Sequence, residues 1–339
     1  PTRMSSCIIT GTCLALSGLL ILSGCGFHFS EILPGSSLSS KVLMEIDDES
    51  LSAGEGEVWL WALKTACESD YGEEIWSVNL EEGTAEDELK EAAKDYIQEM
   101  FLAAQMALAD GVTVPAEVQA QIETAAAYYM AALPADTSSD TERQEAVAEA
   151  YTRLYLAHTS HANALSASNV EITDEEARVV RVYQIVLSFE TEDEKTTQKK
   201  RAKKIVSRVE KGTSSFAIQA VEYSDADTIE LTVMRDQLDR ELETAVFALS
   251  DDEMSEVLET DDSYVIYYCV EENVEAETEA HREELRTEKL ESLYQDALED
   301  FAEESDWEWN SSAWKGLSVT DEDAADVDFF GIYEENVSS

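Results

Sequence analysis

The sequence predicts an α+β protein that is mostly helical and contains one short region of strands. Long helices are expected before residue 178, because apolar residues recur there every three or four positions, as in the stretch from Asp87 to Leu108. Strands are expected over residues 179–187 and 264–270. Another long helix is expected from Glu275 to Glu304. Helices therefore flank the strands on both sides in the sequence.

The first forty residues predict an export signal and a spacer. An apolar stretch from Cys7 to Leu22 is too short for a confident membrane span, and small residues follow it. Leu22, Ser23, Gly24 and Cys25 resemble the lipobox of bacterial lipoproteins. The resemblance implies removal of residues 1–24 and diacylation of Cys25, which would anchor the chain stably to a membrane. Residues 25–40 would form a flexible stalk; an uncleaved anchor helix is the alternative.

Several classes of enzyme are excluded because their motifs are missing from the sequence. We find no Ser-His-Asp set, P-loop, Rossmann glycine pattern or CxxC pair, so a hydrolase, a nucleotide enzyme, a thiol oxidoreductase and a cofactor are not expected. Cys67 and Cys269 are predicted to be separate buried thiols, with a disulfide as the alternative. His158 and His161 share one helix face; we expect hydrogen-bonding histidines at a helix interface, with a metal site as the alternative.

The central segment carries a series of ordered family signatures. They comprise the strand over residues 179–187, then Lys211, Gly212, Phe216, Ala220, Tyr223, Ser224 and Asp225, then residues 245–249, then Glu253, Met254 and Ser255, and the strand over residues 264–270. In this order and spacing, residues 178–272 resemble a parvulin-type peptidyl-prolyl isomerase domain. The resemblance implies a small antiparallel sheet surrounded by helices.

The resemblance also implies the site residues. The two family histidine positions fall on Gln184 and Val265, and the family's Cys or Asp falls on Ala226, beside Asp225. Candidate residues are Gln184, Asp225 and Val265 at the catalytic positions, and Leu238, Leu242, Phe247 and Ser224 for substrate binding. Rotation about an X-Pro bond breaks no covalent bond, so an apolar pocket and a donor can suffice. A weak isomerase and a domain that only binds extended segments both remain open.

The rest of the chain resembles PrsA-like and SurA-like foldases, with residues 41–52 as the short entry strand. This layout implies a mostly helical chaperone domain built from residues 41–177 and 273–317, with the parvulin domain inserted between them. Trp307, Trp309 and Trp314 are expected to pack onto the helical domain. The acidic tail, residues 318–339, is expected to be disordered. A capping box is expected from Ser139 to Glu142.

The chain is strongly acidic, with a formal net charge of −51. Such a charge repels nucleic acid, so no nucleic-acid partner is expected. The acidity either solvates the surface or attracts basic unfolded chains or divalent cations. An amphipathic helix at residues 195–211 is the exception: it holds eight of the 23 basic residues and is a candidate for docking to acidic partners.

The resemblances together imply a foldase lipoprotein on the extracytoplasmic face of the cell membrane of a Gram-positive bacterium. Its partners would be unfolded exported polypeptides and the membrane, through the lipid on Cys25, and a homodimer is a further expectation by analogy. Isomerase activity is expected to be reduced. The alternatives are an inactive parvulin-fold chaperone that only holds clients, and a scaffold in an envelope complex.

Overall fold

The computed structural model describes residues 41–78, 83–134, 140–319 and 327–337. The predicted signal peptide, Cys25 and the stalk lie outside the described residues. The α-helices are α1 (Ala53–Tyr71), α2 (Ala85–Ala109), α3 (Ala116–Ala132), α4 (Thr141–Ala167), α5 (Asp174–Ala177), α6 (Glu192–Glu210), α7 (Phe216–Tyr223), α8 (Arg240–Phe247), α9 (Glu275–Glu304), α10 (Ser311–Gly316) and α11 (Phe329–Asn336). The strands are β1 (Val42–Ile46), β2 (Glu49–Ser52), β3 (Val180–Ser188), β4 (Glu230–Val233), β5 (Leu258–Glu259), β6 (Ser263–Glu271) and β7 (Trp307–Trp309).

The chain forms two compact units, which confirms the predicted α+β class. The described residues up to 168 and from 291 onward form a helical unit, and residues 169–290 form a sheet unit between them in the sequence. Helix α9 contributes its first half to the sheet unit and its second half to the helical unit. Within the described ranges, no helix combines the length and apolar character needed to cross a bilayer.

The sheet unit is longer at both ends than the predicted domain of residues 178–272. The N–H of Val274 donates to the carbonyl of Val179 at 2.8 Å, and the N–H of Val179 donates to Oγ1 of Thr278 at 3.0 Å. Nδ1 of His281 donates to the carbonyl of Ala177 at 3.0 Å. These bonds tie the start of α9 to the segment before β3, so both flanks belong to the same unit.

The helical unit has one large apolar core, formed by α1, α2, α3, α4 and the second half of α9. The apolar stripe predicted on α2 is buried at Leu89, Tyr96, Ile97 and Met100. Leu108 was expected in the same stripe, but it is 40% exposed because it lies in the last turn of the helix.

A three-stranded antiparallel sheet inside the helical unit joins segments that come before and after the sheet unit in the sequence. β1 lies between β2 and β7, and Met44 of β1 pairs with Trp309 of β7. Trp309 and Trp314 are buried in the core, and Trp307 packs against it. The prediction that these tryptophans pack onto the helical domain is therefore confirmed. The sheet also explains why the N-terminal and C-terminal segments fold together, because each supplies strands that the other needs.

The prediction of a disordered tail is wrong for residues 327–337. Phe329, Phe330 and Tyr333 are buried in the helical core on α11. At these positions the three rings lie on one side of the helix, so a short acidic segment still buries a large apolar area. Ser139, the first residue of the expected capping box from Ser139 to Glu142, lies outside the described residues. The N-cap of α4 is Asp140, whose carboxylate accepts the backbone N–H of Glu142 at 3.0 Å.

The sheet unit contains a four-stranded antiparallel sheet in the order β4-β3-β6-β5. Because side chains alternate along a strand, β3 and β6 send one set of residues to each face. On one face, here called the α8 face, Val182 and Val265 pack with Val246 of α8. On the other, the α6 face, Ile185 and Ile266 pack with residues of α6. α6 is the predicted basic helix.

The described cysteines, Cys67 and Cys269, are both buried, and they form no disulfide with each other. The prediction of separate buried thiols is therefore confirmed. Burial raises the pKa of Cys269 to about 11, and the carboxylates of Asp251 and Glu272 act in the same direction. Cys269 is thus a neutral thiol in the core beneath the α8 face, where it contributes as a small apolar side chain.

Candidate functional site

The α8 face of the sheet brings together both positions at which the parvulin pattern has histidine. Gln184 of β3 pairs with Tyr267 of β6, and Val186 pairs with Val265. Gln184 and Val265 are thus diagonal neighbours on one face, a relation in which residues lie about 7 to 8 Å apart. The two histidine positions of the parvulin pattern therefore lie together on one face of this sheet, although glutamine and valine occupy them.

The side chain of Gln184 is half-buried and already bound to the protein. Its Nε2 donates to the carbonyl of Thr228 at 2.7 Å, and its backbone N–H donates to the carbonyl of Ile229 at 2.8 Å. Both bonds hold the loop that precedes β4. The second hydrogen of the amide makes no bond within the described part of the chain, so Gln184 can still offer one donor to a ligand.

Val265 fills the second histidine position with an apolar side chain. It is buried, and it pairs across the sheet with Val186 on β3 and with Leu258 on β5. A valine neither donates a hydrogen bond nor titrates. Neither family histidine position can therefore take part in proton transfer.

Ser224 and Asp225 bind the backbone at the end of β3. Oγ of Ser224 accepts the N–H of Val186 at 3.0 Å and the N–H of Ala226 at 3.3 Å. The carboxylate of Asp225 accepts the N–H of Ser188 at 2.8 Å, and its backbone N–H donates to Val186. The two residues extend the hydrogen bonding of β3 where β4 has ended, and within the described residues no bond joins them to Gln184.

The apolar substrate-binding candidates do come together. Leu238, Leu242 and Phe247 belong to the same cluster as Val265 on the α8 face. Leu238 and Leu242 are half-buried, whereas Phe247 is only 7% exposed. The cluster forms an apolar wall beside Gln184 that can contact a proline ring or another apolar side chain.

Two arginines, which the sequence reading did not single out, cover the ring of Phe247. The guanidinium of Arg235 lies 3.8 Å from the ring centroid, and that of Arg178 lies 5.1 Å away. Arg235 is held in place by ion pairs with Glu175 and with Glu243, the latter at 3.2 Å. No local sequence pattern places these arginines over Phe247, because the contact depends on how the loop before α8 folds back.

Tyr267 is a further residue of the α8 face that the sequence reading did not include. Burial raises its pKa to about 12, so the phenol is neutral and remains a hydrogen-bond donor. Its backbone is fixed by Ser255, whose Oγ accepts the N–H of Tyr267 at 2.9 Å and whose own N–H donates to the carbonyl of Tyr267. Tyr267 follows Val265 by two residues, and this spacing is the signal that could have identified it.

The two histidines of α4 differ in their contacts: His161 forms the expected hydrogen bond, whereas Nε2 of His158 is buried and has no hydrogen-bond partner among the described residues. Nε2 of His161 lies 3.1 Å from the carboxylate of Glu291 on α9, and the ring of His158 packs edge-on against Tyr333. Burial lowers the pKa of His158 to about 4, so it is neutral at pH 7. Among the described residues, no three His, Cys, Asp or Glu side chains come close enough together to hold a metal ion.

Comparison with known protein families identifies the type of domain in the sheet unit. Residues 184–271 match the family model of the rotamase, described as the PPIC-type PPIASE domain. The chain contains a parvulin-type rotamase domain. The rotamase domain includes the α8 face, with all the site positions discussed above from Gln184 to Tyr267.

Solved structures with similarity to the chain include PrsA proteins. A peptidylprolyl isomerase (PrsA) from Bacillus cereus is 19% identical over 77% of this chain and 98% of its own, with a TM-score of 0.35. A foldase protein PrsA from Lactococcus lactis is 13% identical over 81% of this chain and 96% of its own, with a TM-score of 0.35. The foldase protein PrsA from Streptococcus pneumoniae is 15% identical over 76% of this chain and 98% of its own, with a TM-score of 0.26. No curated protein sequence matches the chain.

Proposed function

We propose that this protein is an extracytoplasmic foldase of a Gram-positive bacterium, anchored to the cell membrane through diacylated Cys25, whose rotamase domain isomerises prolyl bonds slowly. One observation carries the catalytic part of the proposal. The apolar wall of Leu238, Leu242 and Phe247 lies on the same face as both histidine positions, inside the segment that matches the rotamase family. The helical unit would hold unfolded exported chains.

The slow rate follows from the chemistry of the site. Rotation about an X-Pro bond has a barrier of about 18 to 20 kcal/mol and needs no nucleophile. The apolar wall can hold the proline ring away from water, and Gln184 or Tyr267 can donate a hydrogen bond to the twisted amide. Loss of a well-placed donor commonly lowers a rate by about 10² to 10³, and both histidine positions are substituted here.

A second candidate function is binding without isomerisation, and two contacts favour it. Arg235 lies over Phe247, so the ring is not open to a ligand on that side. The amide of Gln184 is already bound to the carbonyl of Thr228. In this candidate function the rotamase domain holds extended segments and leaves prolyl bonds to rotate at their own rate.

The deciding experiment measures cis/trans exchange of a short X-Pro peptide by NMR, with the chain from residue 26 onward. The test variant is Leu242→Ala with Phe247→Ala, and the control is Leu293→Ala, an exposed apolar residue of α9. Acceleration that the double variant abolishes and the control retains would establish an isomerase. Absence of acceleration at high protein concentration would leave the binding function.

Holding of clients and the anchor need separate tests. We expect the chain to suppress aggregation of an unfolded exported protein, and a scaffold without chaperone activity would not. We also expect a labelled fatty acid to be incorporated at Cys25 in cells, and a Cys25→Ser variant to lose both the label and its membrane association. Retention of the label in that variant would contradict the lipidation site.

A further inference from the structure

The α6 face of the rotamase domain carries a groove that the isomerase site does not use. The groove has a volume of about 670 Å³, and its apolar lining comes from Tyr183, Val209, Phe216, Met254 and Tyr268. The rings of Phe216 and Tyr268 stack with centroids 5.4 Å apart, and they give the groove a flat aromatic wall. Because Tyr183 and Tyr268 point to the face opposite Gln184 and Val265, this groove is distinct from the α8 face.

Exposed apolar side chains continue the groove along α7. Ala217 lines the groove, and Val221 lies one helical turn later on the same side. Val221 is 77% exposed, and Ile218 beside it is 59% exposed. A β-branched pair so exposed next to an open groove offers apolar contact area that the fold itself does not use.

The charged residues of the groove are all acidic. Glu210, Asp252 and Glu253 line it, and its lining contains no lysine or arginine. Asp252 is held in place, because its Oδ1 accepts the hydroxyl hydrogen of Tyr268 at 2.9 Å. Asp252 and Glu210 both line the groove. The groove therefore combines an aromatic wall with acidic side chains.

We propose that this groove binds an extended, cationic peptide segment that carries a large apolar or aromatic side chain. The apolar side chain would lie against Phe216, Tyr268 and Met254, since methionine adapts to varied shapes. Lysine or arginine residues on either side of it would pair with Glu210 and Asp252. The segment would belong to an unfolded client chain, so this inference rests on the proposed foldase function. The groove would be a second client site of the protein.

Charge favours this occupant over a second copy of the protein. The chain has a net charge of −51, so two copies repel each other over most of their surface, whereas a basic unfolded segment is attracted. The one local exception is α6, whose basic side chains could approach the groove of another molecule. A dimer formed in this way is one outcome that the experiment must separate.

The experiment uses the chain from residue 26 onward and two fluorescein-labelled peptides without proline. In the first, Lys alternates with Phe and Leu; in the second, Glu replaces each Lys. We expect the Lys peptide to bind at least tenfold more tightly by fluorescence anisotropy, and 1 M salt to weaken that binding because it screens the charge pairs. Equal binding of both peptides would overturn the proposal.

Three variants locate the bound peptide. We expect Glu210→Lys with Asp252→Asn, and separately Ile218→Ser with Val221→Ser, each to weaken binding of the Lys peptide at least fivefold. The matched control is Tyr128→Ser, because Tyr128 is 59% exposed like Ile218 but belongs to the helical unit. A control that loses as much affinity as the groove variants would contradict the assignment. All of these residues are at the surface, and circular dichroism is used to check that each variant is folded.

Two further measurements separate this proposal from the others. Leu242→Ala with Phe247→Ala should leave the affinity of the Lys peptide unchanged; loss of binding in this variant would place the peptide on the α8 face. Prolyl turnover is measured in the groove variants as well, and it should stay at the level of the unmodified chain. Sedimentation that shows a dimer dissociated by Glu210→Lys would identify a second copy as the occupant and overturn the proposal.

Discussion

Tyr151 and Phe329 stack with ring centroids 4.3 Å apart and an angle of 21° between their planes, and the hydroxyl of Tyr151 donates to the carbonyl of Phe329 at 3.0 Å. The contact joins α4 to α11, which lie far apart in the sequence. Phe329 also meets the rings of Trp59 at 5.2 Å and Tyr129 at 5.6 Å. The C-terminal segment is thus a central part of the helical core.

Replacing Phe329 by alanine should therefore destabilise the helical unit. We expect Phe329→Ala to lower the free energy of unfolding by about 3 to 5 kcal/mol, because it removes a buried ring from contact with four others, that of Phe330 included. Urea unfolding followed by tryptophan fluorescence measures the loss. The exposed control Tyr128→Ala should change stability by about 0.5 kcal/mol at most. A loss in Phe329→Ala no larger than in the control would show that the tail does not belong to the core.

Glu99 should make the helical unit less stable as pH rises. Burial raises its pKa from 4.5 to about 8, although a hydrogen bond from Gln295 acts in the opposite direction. The folded state therefore keeps a proton that the unfolded state releases. The contribution of Glu99 to the stability of the folded state is complete below pH 4.5 and is lost as pH rises to about 8. We expect Glu99→Gln to remove this slope, as measured by melting temperature from pH 5 to 8.5.

The slope of the melting temperature against pH has to be compared between Glu99→Gln and the unmodified chain, because Glu55 titrates in the same pH range. Burial raises the pKa of Glu55 to about 7 despite its ion pair with Arg153. Glu123→Gln, at an exposed position of α3, should leave the slope unchanged. Equal slopes in Glu99→Gln and the unmodified chain would show that Glu99 is ionised in the folded state.

His158 should have the opposite effect in acid. Burial lowers its pKa from 6.5 to about 4, so its contribution to stability is present above pH 6.5 and is lost as pH falls toward 4. A His158→Gln variant cannot take up this proton. We expect its urea midpoint to fall less than that of the unmodified chain between pH 7 and pH 4.5. A parallel fall in both would mean that His158 is protonated without cost in the folded state.

Restoring the two histidines should raise isomerase activity. We expect Gln184→His with Val265→His to increase kcat/KM for an X-Pro peptide by about tenfold or more, because the imidazoles would supply the polar groups that the site lacks. The matched control is Tyr183→His, which places an imidazole one residue away on the opposite face of β3. A similar gain in the control would show that the effect does not arise on the α8 face.

Removing the guanidinium of Arg235 should uncover Phe247. We expect Arg235→Ala to bind prolyl peptides more tightly and to lose about 0.5 to 2 kcal/mol of stability with the cation–π contact. Arg181→Ala is the control, since the side chain of Arg181 is 29% exposed against 27% for Arg235 and also pairs with carboxylates, but lies over no ring of the described residues. Peptide affinity measured by NMR titration should rise only in Arg235→Ala.

Most helices could be predicted from the sequence, whereas their ends and partners could not. The apolar periodicity from residue 275 predicted α9 from Glu275 to Glu304, and the structure has it there. The N-cap of α4 is Asp140, whereas the expected capping box began at Ser139, which lies outside the described residues; both residue types are good caps, so the local sequence does not choose between them. The tail was misjudged because its acidic residues outweigh three aromatic ones in composition, although those three decide its packing.

The candidate site, like the helices, could be predicted only in part from the sequence. Spacing within the family pattern located Gln184 and Val265, and strand alternation then placed them on one face. The sequence by itself determined the α+β class, the helical stripes, the order of the rotamase signatures and the absence of histidine at both positions, since these depend on residues close together in the chain. Only the tertiary structure decided that Arg235 covers Phe247, that Ser224 and Asp225 bind the end of β3, and that Phe329 meets Tyr151. These contacts join separate elements, and which of them form depends on how the whole core packs.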